Sequence, residues 1–90
     1  MLIRVFGPGC QRCKELEART IDALAELQWA ADVRKVEDVP SMAAAGVLRT
    51  PALEIDGKLV LQGRVPGVTE LKSILGKARQ QAEPVPPHRP

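Results

Sequence analysis

The chain opens with a short apolar strand that turns directly into a helical pattern, and two cysteines lie at that junction. The strand spans residues 2–6, the turn is Gly7-Pro8-Gly9, and the helical pattern starts at Cys10-Gln11-Arg12-Cys13. Branched residues in the strand and three turn-formers in a row make both assignments strong local signals. A strand that feeds a helix in this way predicts the first half of a βαβ unit, and therefore an α/β domain.

Later segments continue the alternation of strands and helices. Apolar residues recur at a spacing near 3.6 up to about Gln28, and a short charged strand follows at 32–37. Asp38 and Pro40 are typical of a helix start, which predicts a short helix that ends before Gly46. Two strands at 52–55 and 59–62 flank Asp56-Gly57, a dipeptide that favours a type I′ hairpin turn. A last amphipathic helix is predicted over 68–79.

This order predicts an α/β fold of the form β-α-β-α-β-β-α, with a four-stranded mixed sheet covered by helices on both faces. A chain of 90 residues with 44% apolar composition allows one domain with a single small core. We assign that domain to residues 1–79. Residues 80–90 are rich in proline and are expected to form a disordered tail.

The overall charge and aromatic content exclude two classes of partner. Net charge is +2 with acidic and basic residues interleaved, and the aromatic residues are Phe6 and Trp29 alone. Neither nucleic acid nor a membrane is therefore expected as a partner. The opening strand is too short for a signal peptide or a membrane span, which makes the cytoplasm the expected location. In that reducing compartment a lone cysteine pair is more often catalytic, redox-sensing or metal-binding than structural.

The CxxC pair at a helix start favours a redox-active dithiol. Unpaired backbone N–H groups and the positive end of the helix dipole stabilise a thiolate, and the thiolate is the nucleophile of disulfide exchange. Cys10 at the helix tip is the predicted nucleophile. Cys13 lies one turn later on the buried face and is the predicted resolving cysteine.

Charged neighbours are expected to tune the cysteines in both directions. Arg12 and Lys14 lower the pKa of a nearby thiol, because a cation favours the thiolate. Glu15 and Glu17 stabilise the helix start and oppose thiolate formation. We expect the sum to favour the thiolate at Cys10.

The CxxC after the first strand, Thr50-Pro51 before the third, and Gly63 after the hairpin resemble the thioredoxin/glutaredoxin superfamily. The closest resemblance is to small, minimal thioredoxin-like proteins, the redox-active disulfide family, and it covers residues 1 to about 78. The resemblance implies a cis peptide bond before Pro51, which would face the cysteines. It further implies that the backbone of Thr50 pairs with a bound substrate and that Gly63 leaves room beside it.

The same resemblance implies a thiol–disulfide oxidoreductase without a cofactor. Its substrate would be a disulfide-bearing protein or a small thiol, and an external reductase or glutathione would regenerate the dithiol. The intervening residues Gln11-Arg12 lack both the proline of thioredoxins and the aromatic residue usual in glutaredoxins. Recycling of the thioredoxin type and of the glutaredoxin type therefore both stay open. We expect a monomer, although apolar area around the cysteines would also support weak dimers.

Other interpretations of the cysteine pair remain open at this point. Copper chaperones also carry a CxxC after a first strand, since two thiolates suit Cu(I), but those domains end in a strand rather than a helix. A non-catalytic redox sensor would keep the same residues, and the cysteines could also be merely buried apolar side chains. A structural zinc site needs four ligands, and only Cys10, Cys13 and the remote His88 are available. No structural zinc site is therefore expected within one chain, and no residue is assigned as a metal ligand.

Overall fold

A computed structural model describes residues 1–9 and 11–82, the last two for their backbone alone. Cys10 and residues 83–90, with His88 and most of the predicted tail, lie outside the described residues. The elements are β1 (Leu2–Phe6), α1 (Gln11–Leu27), β2 (Asp32–Val36), α2 (Val39–Ala44), β3 (Ala52–Ile55), β4 (Lys58–Gln62) and α3 (Val68–Ala82). Their order is the predicted β-α-β-α-β-β-α.

The four strands form one mixed sheet in the order β2-β1-β3-β4. β1 runs parallel to β2, as a helical crossover requires, and antiparallel to β3. β3 and β4 form the predicted antiparallel hairpin, with an irregularity between Leu53 and Glu54. β1 is therefore a central strand, and the loop that leaves its C-terminal end emerges in the middle of the sheet.

Alternate residues of the central strands point to two different apolar layers, as the pleat of a strand dictates. On one face, Ile3 and Val5 join the main core with side chains from α1 and α3. On the other face, Phe6 packs with Ala52 and with Met42 of the short helix α2. Helices thus cover both faces of the sheet, as the sequence predicted.

Charged side chains also lie on the face that α2 covers only in part. Arg4 stands opposite Glu54 in the register of β1 and β3, and its Nε atom donates to Glu54 Oε1 at 2.5 Å. The Glu54 side chain is only 7% exposed, whereas that of Arg4 is 34% exposed. A buried carboxylate requires such a partner, since an unpaired charge away from water is costly.

Local chemistry explains where α2 and the hairpin form. The side chain of Asp38 caps α2 by accepting a hydrogen bond from the backbone N–H of Ser41 at 2.9 Å, with Pro40 in the first turn. Asp56 and Gly57 both have positive φ angles, 49° and 85°, as a type I′ turn requires. Asp56 also ties the hairpin to β1, because its Oδ1 accepts from Leu2 N at 2.7 Å.

The last helix is longer than the sequence predicted. α3 continues to Ala82, so residues 80–82 are helical rather than part of the expected disordered tail. The prediction ended where the apolar face ends, at Ala78 and Arg79. The residue types at positions 80–82 are glutamine and alanine, which have high helix propensity, so the helix continues beyond its apolar face. The Arg79 guanidinium also stacks over the Trp29 ring, 4.5 Å from its centroid.

Candidate active site

The candidate site lies where β1 leaves the sheet and α1 begins. Gly7 is still held to the sheet edge, since its N–H donates to Val36 O at 3.0 Å. Gly9 has a φ angle of 85°, which a glycine adopts without strain and which turns the chain towards α1. The Gly-Pro-Gly segment thus lies between the end of the central strand at Phe6 and the start of α1 at Gln11. Cys10 follows directly in the sequence, outside the described residues.

Cys13 is buried on the inner face of α1, together with Leu16. Cys13 is 4% exposed, and burial of this kind is expected of the resolving cysteine in the predicted pair. A Cβ atom at Gly7 would overlap Cys13 Sγ, so the sulfur lies directly against the backbone of the turn. The same Cβ position is 3.8 Å from Thr50 Cβ. Cys13 Sγ and Thr50 Cβ therefore lie close to each other, on the same side of Gly7.

The peptide bond before Pro51 has the conformation that the resemblance implies. The Thr50–Pro51 peptide bond is cis, and Pro51 is fully buried. Neither the N–H nor the C=O of Thr50 hydrogen-bonds to another residue in the described part of the chain. A half-buried backbone with unpaired groups beside a cysteine can hydrogen-bond an extended ligand.

Gly63 connects the end of β4 to the candidate site through its backbone. Its N–H donates to Pro51 O at 2.8 Å, and its C=O accepts from Arg12 Nη2 at 3.0 Å. The side chain of Arg12, from within the CxxC motif, therefore reaches across to the segment that holds Pro51. A Cβ atom at Gly63 would also lie 3.1 Å from Arg49 Cδ. The absence of a side chain at Gly63 thus leaves room for Arg49.

The loop that begins at Gly63 is held to α1 at a second point. The Nη1 atom of Arg19 donates hydrogen bonds to Val65 O and Pro66 O, each at 3.3 Å. Together with the Arg12 contact, this fixes the loop along one side of the CxxC helix. Lys14, the other predicted pKa-tuning residue, is exposed in the first turn of α1.

Gln62 is a site residue that the sequence analysis missed. Its Oε1 atom accepts hydrogen bonds from the backbone N–H groups of Leu48 at 2.8 Å and Arg49 at 3.1 Å. This holds the segment that leads into Thr50 against the end of β4. The available signal was a glutamine directly after the apolar residues 59–61, since such a residue can satisfy backbone groups of a neighbouring loop.

Acidic residues near the cysteines are largely matched by cations. Glu15 lies 3.9 Å from Arg19, and Glu17 lies 4.0 Å from Lys35. Their expected opposition to a thiolate is weakened by these neighbours. Glu37 has a different position. Its Oε2 atom lies 3.2 Å from the point that a Cβ atom of Gly9 would occupy, and Gly9 is the residue before Cys10 in the sequence.

Arg64, which follows Gly63, is engaged elsewhere. Its Nη2 atom lies 2.7 Å from Glu70 Oε2 at the start of α3. The hydrogen bond with Arg64 lowers the pKa of the Glu70 carboxyl, and the same bond raises the pKa of the Arg64 guanidinium. Arg64 thus forms an ion pair with Glu70, whereas the Arg49 side chain lies along Gly63.

Neither a metal cluster nor a membrane span is found in the described part of the chain. Residues 1–9 and 11–82 contain no group of three or more His, Cys, Asp and Glu side chains that could hold a metal ion. Among the same residues, none of the helices combines the length and the apolar character needed to cross a bilayer.

Comparisons with known proteins agree on one family. The family model of the thioredoxin domain matches residues 1–76. A thioredoxin of Methanothermobacter thermautotrophicus is 36% identical over 75 residues, which cover 83% of this chain and 97% of that protein. A thioredoxin of Methanocaldococcus jannaschii is also 36% identical over 75 residues, which cover 83% of this chain and 86% of that protein.

A solved structure has a similar fold. Thioredoxin 1 of Thermosipho africanus TCF52B superposes with a TM-score of 0.59 at 18% identity, and the match covers 91% of this chain and 98% of that one.

Proposed function

Because this chain belongs to the thioredoxin domain family, whose members perform thiol–disulfide oxidoreductase chemistry, we propose that it reduces or exchanges disulfides through the Cys10–Cys13 pair. The substrates are disulfide-bearing proteins or small-molecule disulfides. The observation that carries the proposal is the position of Cys13 Sγ against Gly7, with Thr50 as the next neighbour. A buried second thiol beside an extended, unpaired backbone segment suits a cysteine that resolves a mixed disulfide.

The reaction proceeds in two exchange steps. The Cys10 thiolate attacks one sulfur of the substrate disulfide, the substrate S–S bond breaks, and the departing sulfur takes up a proton. The Cys13 thiol then loses its proton and attacks the Cys10 sulfur, which releases the second substrate thiol. Two electrons have passed to the substrate, and the protein holds a Cys10–Cys13 disulfide. An external reductant, either a reductase or glutathione, returns both cysteines to thiols.

The residues around the pair are assigned supporting roles. Arg12 and Lys14 favour the Cys10 thiolate by their positive charge, and the N-terminus of α1 acts in the same direction. The backbone of Thr50 hydrogen-bonds the substrate in extended form beside Pro51. Gly63 holds the Pro51 carbonyl through its N–H, and its lack of a side chain gives the Arg49 side chain room beside the substrate segment.

Trapping of the mixed disulfide tests the proposal. A Cys13→Ser variant is expected to accumulate a covalent adduct with a disulfide peptide, because the resolving thiol is missing. The matched Cys10→Ser variant is expected to form far less adduct, since it lacks the nucleophile. Mass spectrometry under non-reducing conditions measures both. Absence of adduct in both variants, together with tight anaerobic Cu(I) binding by the wild type, would instead identify a copper-binding protein.

A turnover assay separates an enzyme from a sensor. The wild type is expected to reduce a model disulfide repeatedly when it is coupled either to a thioredoxin reductase or to glutathione with glutathione reductase. The productive system identifies the class of electron donor. A reversible redox change without turnover in either system would contradict the catalytic role and favour a sensor.

A further inference from the structure

Most arginines in the described part of the chain have a dedicated partner. Side-chain partners are Glu54 for Arg4, Glu15 for Arg19, Asp32 for Arg34 and Glu70 for Arg64, and Arg79 stacks over Trp29. These partners lie on several different parts of the fold. An arginine whose side chain has neither a carboxylate nor an aromatic ring as its partner is therefore the exception within residues 1–9 and 11–82.

Arg12 and Arg49 are the exceptions, and both lie against Gly63. Arg12 donates to the Gly63 carbonyl at 3.0 Å and has no carboxylate partner among the described residues. The Arg49 side chain runs along Gly63, with Cδ 3.1 Å from the Cβ position of that glycine. It makes no ion pair or hydrogen bond to another side chain that the structure describes. Both residues are exposed.

These two arginines flank the proposed substrate segment. Arg49 directly precedes Thr50 in the sequence, and Arg12 lies between the two cysteines. The Gln62 side chain holds the Arg49 N–H at 3.1 Å, so the backbone of Arg49 is anchored while its guanidinium stays available. An arginine carries five N–H donors in a planar fork that fits a carboxylate, and one carbonyl contact leaves most of the donors of Arg12 unused.

From this arrangement we infer that Arg12 and Arg49 form an arginine pair that selects disulfides whose neighbouring residues carry carboxylates. The inference rests on the proposed function and assigns its substrate class. Binding a carboxylate here would break no existing ion pair. It would gain charge-assisted hydrogen bonds beside Gly63, which Arg12 of the CxxC motif contacts.

The charge around the site is asymmetric, which restricts the recognition to one side. Glu37 lies against Gly9, on the side of the turn that faces the end of β2. A substrate carboxylate would be repelled there, whereas the Gly63 side presents the arginine pair. The neighbouring Arg64 is already paired with Glu70 and adds little.

Two peptide disulfides of identical sequence test the inference, one with glutamate and one with glutamine beside each cysteine. The full wild-type chain is expected to react with the glutamate peptide about tenfold faster at low salt, and added salt should reduce this preference. Arg49→Gln is expected to lower the preference about threefold, the size typical of an exposed charge pair. The double variant with Arg12→Gln should abolish it.

Arg34→Gln is the matched control, because it removes the same charge from an arginine that pairs with Asp32 on the edge strand β2. Its preference for the glutamate peptide should equal that of the wild type. Equal rates of the wild type with both peptides would overturn the inference. So would a loss of preference in Arg34→Gln as large as that in Arg49→Gln, since net charge alone would then explain the effect.

Failure of the underlying chemistry would look different. If the wild type reacts with neither peptide and behaves like Cys10→Ser, the proposed function itself is wrong and the inference falls with it.

A comparison of oxidised glutathione with an uncharged small disulfide tests whether the carboxylates can belong to a small molecule. A threefold loss with glutathione in Arg49→Gln, but no change with the uncharged disulfide, would assign the arginine pair to that source as well.

Discussion

Gly7 and Cys13 lie in direct contact, and the backbone of Gly7 forms one wall of the site that holds the Cys13 sulfur. Any side chain at Gly7 would occupy the volume of Cys13 Sγ. The N–H of Gly7 is also fixed to Val36 O, so the glycine cannot easily move away. Glycine is thus required here by close approach rather than by a special backbone angle.

Gly7→Ala is expected to destabilise the protein and impair disulfide exchange. The added methyl group forces Cys13 out of its position, and such overpacking costs about 1–3 kcal/mol. Urea unfolding measures the loss of stability, and the adduct assay with Cys13 intact measures the slower resolution step.

Gly76→Ala is the matched control for this change. Gly76 lies inside α3, and a Cβ atom there would meet no other atom within 4 Å. Because alanine favours a helix interior over glycine by about 0.5–1 kcal/mol, this variant should be slightly more stable than the wild type. A Gly7→Ala variant as stable and active as Gly76→Ala would contradict the assigned contact.

The sequence predicted those elements whose signals are local. The Asp56-Gly57 turn, the cap at Asp38 and the long periodicity of α1 each depend on residues close together in the chain, and the structure contains all three. Caps and tight turns depend on the backbone angles and side-chain hydrogen bonds of a few consecutive residues, so the residue types at those positions predict them. The position of Cys13 on the buried face followed from the same periodicity.

Contacts between distant segments were not predictable in the same way. In the sequence, Glu54 is a charged residue among the apolar residues of a strand. Its partner Arg4 can be identified only from the register of β1 and β3. The contact of Gly7 with Cys13 depends on how closely α1 packs on the turn. The last turn of α3 lacks an apolar face, so periodicity gave no sign of it.

The Arg4–Glu54 pair should respond very differently to single and double substitution. Arg4→Met leaves the buried Glu54 carboxylate without its partner, and we expect a loss of about 2 kcal/mol, reduced from the fully buried range because Arg4 is one-third exposed. The double variant Arg4→Met/Glu54→Leu replaces the pair with apolar side chains and should recover most of that loss.

A double-mutant cycle with urea unfolding checks this expectation. Arg34→Met is a suitable control, because the Arg34–Asp32 pair is exposed and should contribute little. Additive effects of the Arg4 and Glu54 substitutions would show that the two side chains do not stabilise each other.

The Asp38 cap is expected to make stability depend on pH in the acidic range. The hydrogen bonds with Ser41 hold the pKa of the Asp38 carboxyl below its usual range in the folded state. A lowered folded-state pKa means that the carboxylate stabilises the fold above the unfolded pKa of about 3.9, and that this contribution is lost as pH falls through the folded value.

Thermal melts of the wild type and Asp38→Asn test the sign of this effect. The asparagine keeps an acceptor at the cap but does not titrate, so the melting temperature of the wild type should fall relative to the variant as the pH drops below about 4. A constant difference between the two proteins across this range would show that Asp38 is not the titrating group.

Glu37 should influence the reactivity of the proposed nucleophile. Its carboxylate lies against Gly9, the residue before Cys10, and a negative charge nearby disfavours a thiolate. Glu37→Gln is therefore expected to speed the alkylation of the Cys10 thiol by iodoacetamide near neutral pH. Glu26→Gln removes the same charge from the far end of α1, where Glu26 pairs with Lys72, and should leave the alkylation profile unchanged. Identical profiles for wild type and Glu37→Gln, measured over the full pH range, would show that this carboxylate does not act on the nucleophile.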